Sequence, residues 1–115
     1  MESILTSIKK LCGGITEDVT SFDDELIMYI NGLFFDLYQL GIGPDKIFRI
    51  EDADTTWAEF LPENDRLHDI CKIFVGSKVR LRFDPPANSN VMKALEDTIR
   101  ECEWRMYIEA ENRKS

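Results

Sequence analysis

Residues 78–106, KVRLRFDPPANSNVMKALEDTIRECEWRM, decide the fold of this chain. Proline disfavours helix at the residue before it, so the Asp-Pro-Pro of residues 84–86 predicts the end of a preceding helix. The asparagines and serine of residues 88–90 are typical helix N-caps. Beyond them, apolar residues recur at spacings of three and four, which predicts one long helix to about residue 112. This apolar stripe consists of Val91, Leu95, Ile99, Cys102 and Met106.

A helix over residues 64–83 fits the apolar spacing on the N-terminal side of this break. Residues 78–83 alternate strictly between charged and apolar side chains, which is the periodicity of a strand. The helical pattern that precedes them nevertheless runs into this segment without a break. We therefore predict that the chain stays helical as far as the prolines.

Two more helices are predicted nearer the N-terminus. The first covers residues 3–12 and ends at residues 13–14, a glycine pair, because glycine readily adopts the left-handed conformation of a helix C-cap. The second begins after a side-chain cap at Thr20 or Ser21 and ends at residues 41–44, Gly-Ile-Gly-Pro. The chain is therefore predicted to be all-α, a small bundle of about four helices.

An irregular acidic loop is predicted between the second and third helices, over residues 45–62. It includes a short extended piece at residues 48–50 and a helical turn around Trp57. At 115 residues the whole chain, residues 1–115, is expected to form a single domain.

Composition places the chain among ordinary globular proteins, with 43% hydrophobic and 31% charged residues. No apolar run approaches the ~18 residues needed to span a membrane, and residues 1–10 do not fit a secretory signal. We therefore expect the protein to act in the compartment where it is made. The three cysteines, Cys12, Cys71 and Cys102, are far apart and fall on apolar helical stripes, so we expect them in the core rather than in disulfides or a zinc site.

The formal net charge of −8 disfavours DNA or an anionic membrane as the primary ligand. The charge is uneven along the chain, because acids crowd residues 51–69 while residues 72–82 contain four bases and no acid. These bases, Lys72, Lys78, Arg80 and Arg82, have two interpretations. They form a solvated helix face, or they contact a nucleic-acid backbone without sequence specificity.

No catalytic or cofactor-binding motif is apparent in the sequence. His68 is the only histidine and is expected to be a solvated helix residue. Residues 52–63 place acids at the first, third and twelfth positions of a calcium loop, but Trp57 takes the sixth position, where the turn needs glycine, and Phe60 the ninth. We therefore expect no enzyme and no cofactor or metal, but a protein that works by binding other proteins.

Two helices carry apolar residues beyond their core stripes. Met28 and Phe35 point almost opposite the leucine stripe of the second helix, and Trp104 and Ile108 lie away from the stripe of the last helix. A helix that is apolar on two sides needs two partners to pack against. We predict that these four residues form subunit interfaces, and the alternative is an unusual bundle that buries both faces internally.

The strings at residues 78–86, 88–90 and 91–106 together resemble the small head–tail connector proteins of phages. These proteins, also called adaptor or head-completion proteins, occur in long-tailed phages and prophages of Gram-positive bacteria. The N-terminal half is similar too, at residues 3–11, at the Thr-Ser-Phe-Asp of residues 20–23 and at residues 39–44. The resemblance covers nearly the whole chain and preserves the order of its helices and turns.

This resemblance implies a structural protein of the virion neck, assembled in the host cytoplasm. It implies a homo-oligomeric, twelve-fold ring that docks on the portal protein and extends the DNA channel toward the tail. The other implied partners are a neck or tail-completion protein and, without specificity, passing DNA, whereas no membrane is implied. The alternative is a small intracellular regulator or antitoxin-like module that binds one protein.

The C-terminal residues 111–115 have nothing apolar to bury, and chain ends of this kind usually fray. In the family that the chain resembles, the end of the last helix and the following tail commonly reach the portal. Arg113 and Lys114 are therefore predicted to contact an acidic portal rim. The alternative is a solvated tail without a role.

Overall fold

The computed structural model describes residues 2–114, with side chains as far as Arg113. Five helices and no β-strand occur in this range, which confirms the all-α prediction. They are α1 (Ile4–Leu11), α2 (Asp23–Gln39), α3 (Trp57–Phe60), α4 (His68–Phe83) and α5 (Ser89–Lys114). The four predicted helices correspond to α1, α2, α4 and α5, and the single turn α3 is the one expected around Trp57. Helix α4 packs most extensively against α5, and it also contacts α1 and α2.

Local hydrogen bonds explain where the helices begin, and they correct one of the predicted N-caps. Asn88 caps α5, since its Oδ1 accepts hydrogen bonds from Asn90 N at 2.8 Å and Val91 N at 3.2 Å. The predicted side-chain cap of α2 is wrong, because the N-cap position is Phe22 and no side chain caps it. Instead, the Thr20 carbonyl accepts a bond from Asp23 N, and three acids in the first turn favour the positive end of the helix dipole.

Helix α4 differs from its prediction at the start and agrees with it at the end. It begins at His68, later than predicted, because residues 62–67 form turns in which Asp65 Oδ1 accepts a hydrogen bond from Leu67 N at 2.9 Å. It remains helical to Phe83, so the alternation of residues 78–83 does not make a strand. Val79 lies within that alternation and is fully buried in the bundle. This packing favours a helix over a strand for the segment.

The core extends from the helices into the connection between α2 and α4. The ring of Phe34 on α2 lies 6.0 Å from Trp57, 5.0 Å from Phe48 and 4.6 Å from Phe60, measured between centroids. The indole Nε1 of Trp57 donates a hydrogen bond of 2.7 Å to Ser7 Oγ on α1. The connection therefore contributes aromatic core residues and ties α1 to α2.

Asn31 fixes the middle of this connection. Its Nδ2 donates to the Ile50 carbonyl at 3.0 Å, and its Oδ1 accepts from Ile50 N at 2.8 Å, with both residues buried. Nearer α3, Ile4 N donates to the Thr55 carbonyl at 3.0 Å. Residues 48–50 form no strand, and the backbone of Ile50 pairs with the Asn31 side chain instead of another extended segment.

A buried lysine joins α1 to the start of α2. Lys9 is 3% exposed, and its Nζ lies 2.9 Å from Asp23 Oδ1 and donates to the Val19 carbonyl at 2.6 Å. A buried charge needs both an ion-pair partner and hydrogen bonds, and Lys9 has both. This lysine holds the turn between α1 and α2 against the bundle.

All three cysteines are free and buried, as predicted. Burial raises the pKa of the Cys12 thiol to about 11 and that of Cys71 to about 12, with smaller electrostatic contributions from nearby charged groups. These thiols stay protonated at neutral pH and behave as small apolar side chains. None of the described helices is long and apolar enough to cross a membrane.

Candidate interaction surfaces

Helix α2 presents an exposed apolar surface next to the connection that follows it. Met28 is 64% exposed and Phe35 42%, and with Ile47 they line a shallow hollow of about 630 Å³. We call these three residues the α2 surface. Because its side chains are open to solvent, the alternative in which the bundle buries this face internally is wrong.

Helix α5 presents a second exposed apolar surface. Trp104 is 65% exposed and Ile108 37%, and both line a hollow that is shared with Leu67 and Ile70 beside α4. We call Trp104 and Ile108 the α5 surface. The two hollows have no lining residue in common, so the chain carries two separate apolar surfaces.

The four bases of α4 do not form one surface. Lys72 and Arg80 line a groove against α1, whereas Lys78 and Arg82 line a hollow against α2. Lys72 pairs with Glu2, and the Arg82 guanidinium lies 5.2 Å from the centroid of the Tyr29 ring. The predicted DNA-facing residues are therefore split between two sides of the helix. The sequence could have predicted this separation, because helical steps of 100° per residue place residues 72 and 78 far apart around the axis.

The acidic connection does not have the structure of a calcium loop. Trp57 and Phe60 are buried in the core, and Glu59 Oε2 accepts a hydrogen bond from Thr56 N at 2.7 Å in the capping box of α3. Asp52 Oδ1 likewise accepts from Asp54 N at 2.9 Å in a local turn. Within residues 2–114, no group of three or more acids, histidines or cysteines is placed to hold a metal ion.

Comparison with known protein families gives a match over most of the chain. A family model described as phage connector protein matches residues 4–113, which is nearly the whole chain. The chain belongs to the phage connector family. No curated protein and no solved structure matches it.

Family membership confirms the resemblance that residues 78–106 carry. As a phage connector, the chain is a component of the virion neck and works with other phage structural proteins. The matched range includes both apolar surfaces and all of the bundle from the first residue of α1. The two apolar surfaces are therefore the first places to look for its protein contacts.

The C-terminal end of the connector is helical as far as Lys114, and the fraying expected of residues 111–115 stays a prediction. Ala110 is buried, and α5 continues to Lys114. Arg113 Nη2 lies 2.7 Å from Asp65 Oδ1, and its Nε lies 3.5 Å from Glu109 Oε1. These ion pairs attach the last turn of α5 to the rest of the chain, where apolar contacts are few. The Lys114 side chain and Ser115 lie outside the described residues, so their part in a portal contact stays a prediction.

Asp65 is the acid that holds this C-terminal end. Partial burial acts to raise the pKa of Asp65, but hydrogen bonds from Leu67 N and the Arg113 guanidinium outweigh it and lower the pKa below its usual value. A portal contact through Arg113 would therefore have to compete with an acid of the same chain.

His68 is buried, so the prediction that it is a solvated helix residue is wrong. Its Nδ1 lies 3.3 Å from Asp69 Oδ1, and its Nε2 is buried without a hydrogen-bond partner in the described part of the connector. The later start of α4 puts this ring at the first helical position, under the turns of residues 62–67.

Two exposed arginines of α5 pair with acids of the same helix. Arg105 pairs with Glu101, four residues earlier, at 2.7 Å. Arg100 pairs with Asp97, three residues earlier. Exposed pairs of this kind contribute little to the stability of the fold.

Proposed function

We propose that this connector assembles into a ring that docks on the portal protein and extends the DNA channel toward the tail. The observation that carries the proposal is the presence of two separate exposed apolar surfaces on one small chain, the α2 surface and the α5 surface. A closed ring of identical subunits needs two different surfaces, because each subunit contacts its neighbours head to tail. Family membership supports the same arrangement, and the proposed stoichiometry is twelve.

The acidic surface suits the inner wall of such a channel. With a net charge of −8, the subunit repels the DNA backbone and so favours passage over binding. The role is structural and non-catalytic, and it requires no cofactor. Assembly takes place in the host cytoplasm, with the portal on one side of the ring and a neck or tail-completion protein on the other.

The portal contact is proposed at the end of α5, through Arg113 and Lys114. An acidic portal rim would replace Asp65 as the partner of Arg113, which lies 2.7 Å from that carboxylate in the free chain. The exchange of one carboxylate for another costs little, since both form a charge-assisted pair with the guanidinium.

The ring proposal is tested by mixing the connector with the portal protein of its own phage and imaging the complexes by electron microscopy. Wild-type chain should give portal particles that carry an added ring. Phe35→Asp and Trp104→Ala should each reduce ring formation about 30-fold, because truncation of an interface aromatic commonly costs ~2 kcal/mol.

The matched control is Val91→Asp, which changes an exposed apolar residue outside both surfaces, in the first turn of α5. A carboxylate at that position is compatible with the helix dipole, so rings should form as in wild type. Circular dichroism checks that each variant is folded. Rings that form equally well from folded Phe35→Asp and Trp104→Ala chains would contradict the proposal.

A further inference from the structure

A groove between α1 and α4 remains unused by the proposed ring. It encloses about 390 Å³, and its apolar lining includes Leu11, Ile73 and Leu95. Leu11 and Ile73 are each about half exposed, although both lie beside well-packed core residues. None of the groove's lining residues belongs to the α2 or α5 surface.

Gly76 sets the position of Leu11 in the groove. This residue lies on α4 among the lining residues, and a Cβ built there would collide with Leu11 Cδ1. The absence of a side chain therefore allows Leu11 to pack closely against α4 as one wall of the groove.

The charged residues of the groove have the opposite sign to the rest of the chain. Lys10, Lys72 and Arg80 line it, and Glu2 is the only acid among the lining residues. Glu2 pairs with Lys72, while Lys10 and Arg80 form no ion pair within residues 2–114. The Nε of Arg80 is buried and has no hydrogen-bond acceptor in the same range. A net positive groove on a chain of net charge −8 is a local site of charge complementarity for an acidic ligand.

We propose that this groove binds an acidic segment of a partner protein that carries one large apolar side chain. The apolar side chain enters between Leu11 and Ile73, and flanking carboxylates contact Lys10, Lys72 and Arg80. Combining an apolar anchor with charged neighbours is a common way to bind a short protein segment, because the pocket supplies affinity and the charges supply orientation. The site adds a docking point to the connector that does not depend on ring formation.

The probe for the test is a fluorescein-labelled peptide, Gly-Asp-Glu-Asp-Leu-Phe-Glu-Asp-Glu, titrated with the full chain and followed by fluorescence anisotropy. We expect saturable binding with a Kd of about 10–100 μM at low salt, weakening as salt screens the charges. A peptide with lysines for the acids should not bind, and one with serines for Leu-Phe should bind at least tenfold more weakly.

The structure offers matched charge reversals on α4. Lys72→Glu and Arg80→Glu lie in the groove and should each weaken binding at least tenfold, with Lys10→Glu as a second test away from α4. Lys78→Glu and Arg82→Glu lie on the other side of the same helix and should leave the Kd unchanged. Circular dichroism of each variant confirms its fold.

Three results would overturn the proposal. The first is no saturable binding of the acidic peptide below about 1 mM, a weak limit for a specific contact. The second is an equal effect of the Lys72→Glu and Lys78→Glu changes, which would indicate only general charge attraction. The third is displacement of the peptide by a short single-stranded oligonucleotide at equal concentration, which would make the groove a phosphate site.

Discussion

Trp57 links parts of the chain that are far apart in sequence. Its indole donates a 2.7 Å hydrogen bond to Ser7, 50 residues earlier, and its ring lies near Phe34 of α2. The sequence predicted a helical turn around this tryptophan, and α3 confirms it. It did not predict the Ser7 partner, because local spacing carries no information about contacts over that distance.

Asn31 shows the same limit in a buried polar residue. A helical spacing of 100° per residue places it beside Met28 and Phe35 on the outer face of α2. It is instead buried and holds both backbone groups of Ile50. An asparagine that completes the hydrogen bonding of a distant loop cannot be distinguished by pattern from one that faces water.

Gly43 gives a prediction at the residue scale. It has a φ of +95°, and a Cβ built there would lie 2.5 Å from Cε1 of the buried Phe60 ring. Gly43→Ala should lower the free energy of unfolding by about 3 kcal/mol, since a left-handed alanine costs ~1 kcal/mol and crowding of a packed core costs ~1–3 kcal/mol. Urea denaturation followed by circular dichroism measures the loss.

Gly41→Ala is the matched control for this change. Gly41 also has a positive φ, of +81°, but nothing lies within 4 Å of a Cβ built there. Only the backbone cost of ~1 kcal/mol is expected. Equal losses in the two variants would show that Phe60 can move away at no cost, against the expectation from close packing.

At the scale of the elements, stop and cap signals were the most informative parts of the sequence. The prolines at residues 85–86 and the cap at Asn88 define the boundary between α4 and α5, because they act through the backbone of their own segment. The start of α4 was misplaced because Asp65 forms a local turn ahead of the helix. The last turn of α5 contacts that same acid through Arg113, and a sequence pattern does not show a contact over this distance.

The Asp65–Arg113 pair gives a prediction at this scale. The folded-state pKa of Asp65 is lowered, so the pair stabilises the fold above the pKa of the unfolded chain, and this stability is lost as pH falls through the folded-state pKa. Asp65→Asn should cost at most about 1 kcal/mol at pH 7, because the pair is partly exposed to solvent. The difference from wild type should shrink below about pH 4.

Chemical denaturation of both chains at several pH values measures this difference. Glu101→Gln is the control, because it removes a carboxylate that pairs with an arginine of α5 where both side chains are exposed. Its stability should match wild type at every pH. A gap between Asp65→Asn and wild type that stays constant from pH 7 to about pH 3 would contradict the assignment of the pair.

At the scale of the whole molecule, the sequence predicted the family through strings at helix ends and turns, and the family match agrees. It also predicted four apolar residues outside the core, and Met28, Phe35, Trp104 and Ile108 are indeed exposed. It did not predict that Leu11, Ile73 and Tyr107 are exposed as well. It did not predict the α1–α4 groove, because the residues that line the groove come from segments that are far apart in sequence, between Glu2 and Leu95.

The charge of the whole molecule predicts that the isolated chain does not bind DNA measurably at ~0.15 M salt. The net charge is −8, and the four bases of α4 are split between two sides, so no continuous basic stripe faces a duplex. A gel-shift titration with a short DNA duplex tests this, with a basic DNA-binding protein as the positive control. A complex formed at micromolar protein would restore Lys72, Lys78, Arg80 and Arg82 as DNA-contacting residues.

The distance in sequence between α1 and its partners also has a consequence during protein synthesis. Ser7 leaves the ribosome well before Trp57, which is 50 residues later. At ~5–20 residues per second, this gap lasts roughly 3–10 s, and the α4 partners of α1 arrive later still. During that time the apolar face of α1, with Ile4 and Ile8, can contact α2 but lacks its packing against α4. The nascent chain therefore presents a short amphipathic helix to chaperones before it can form its core.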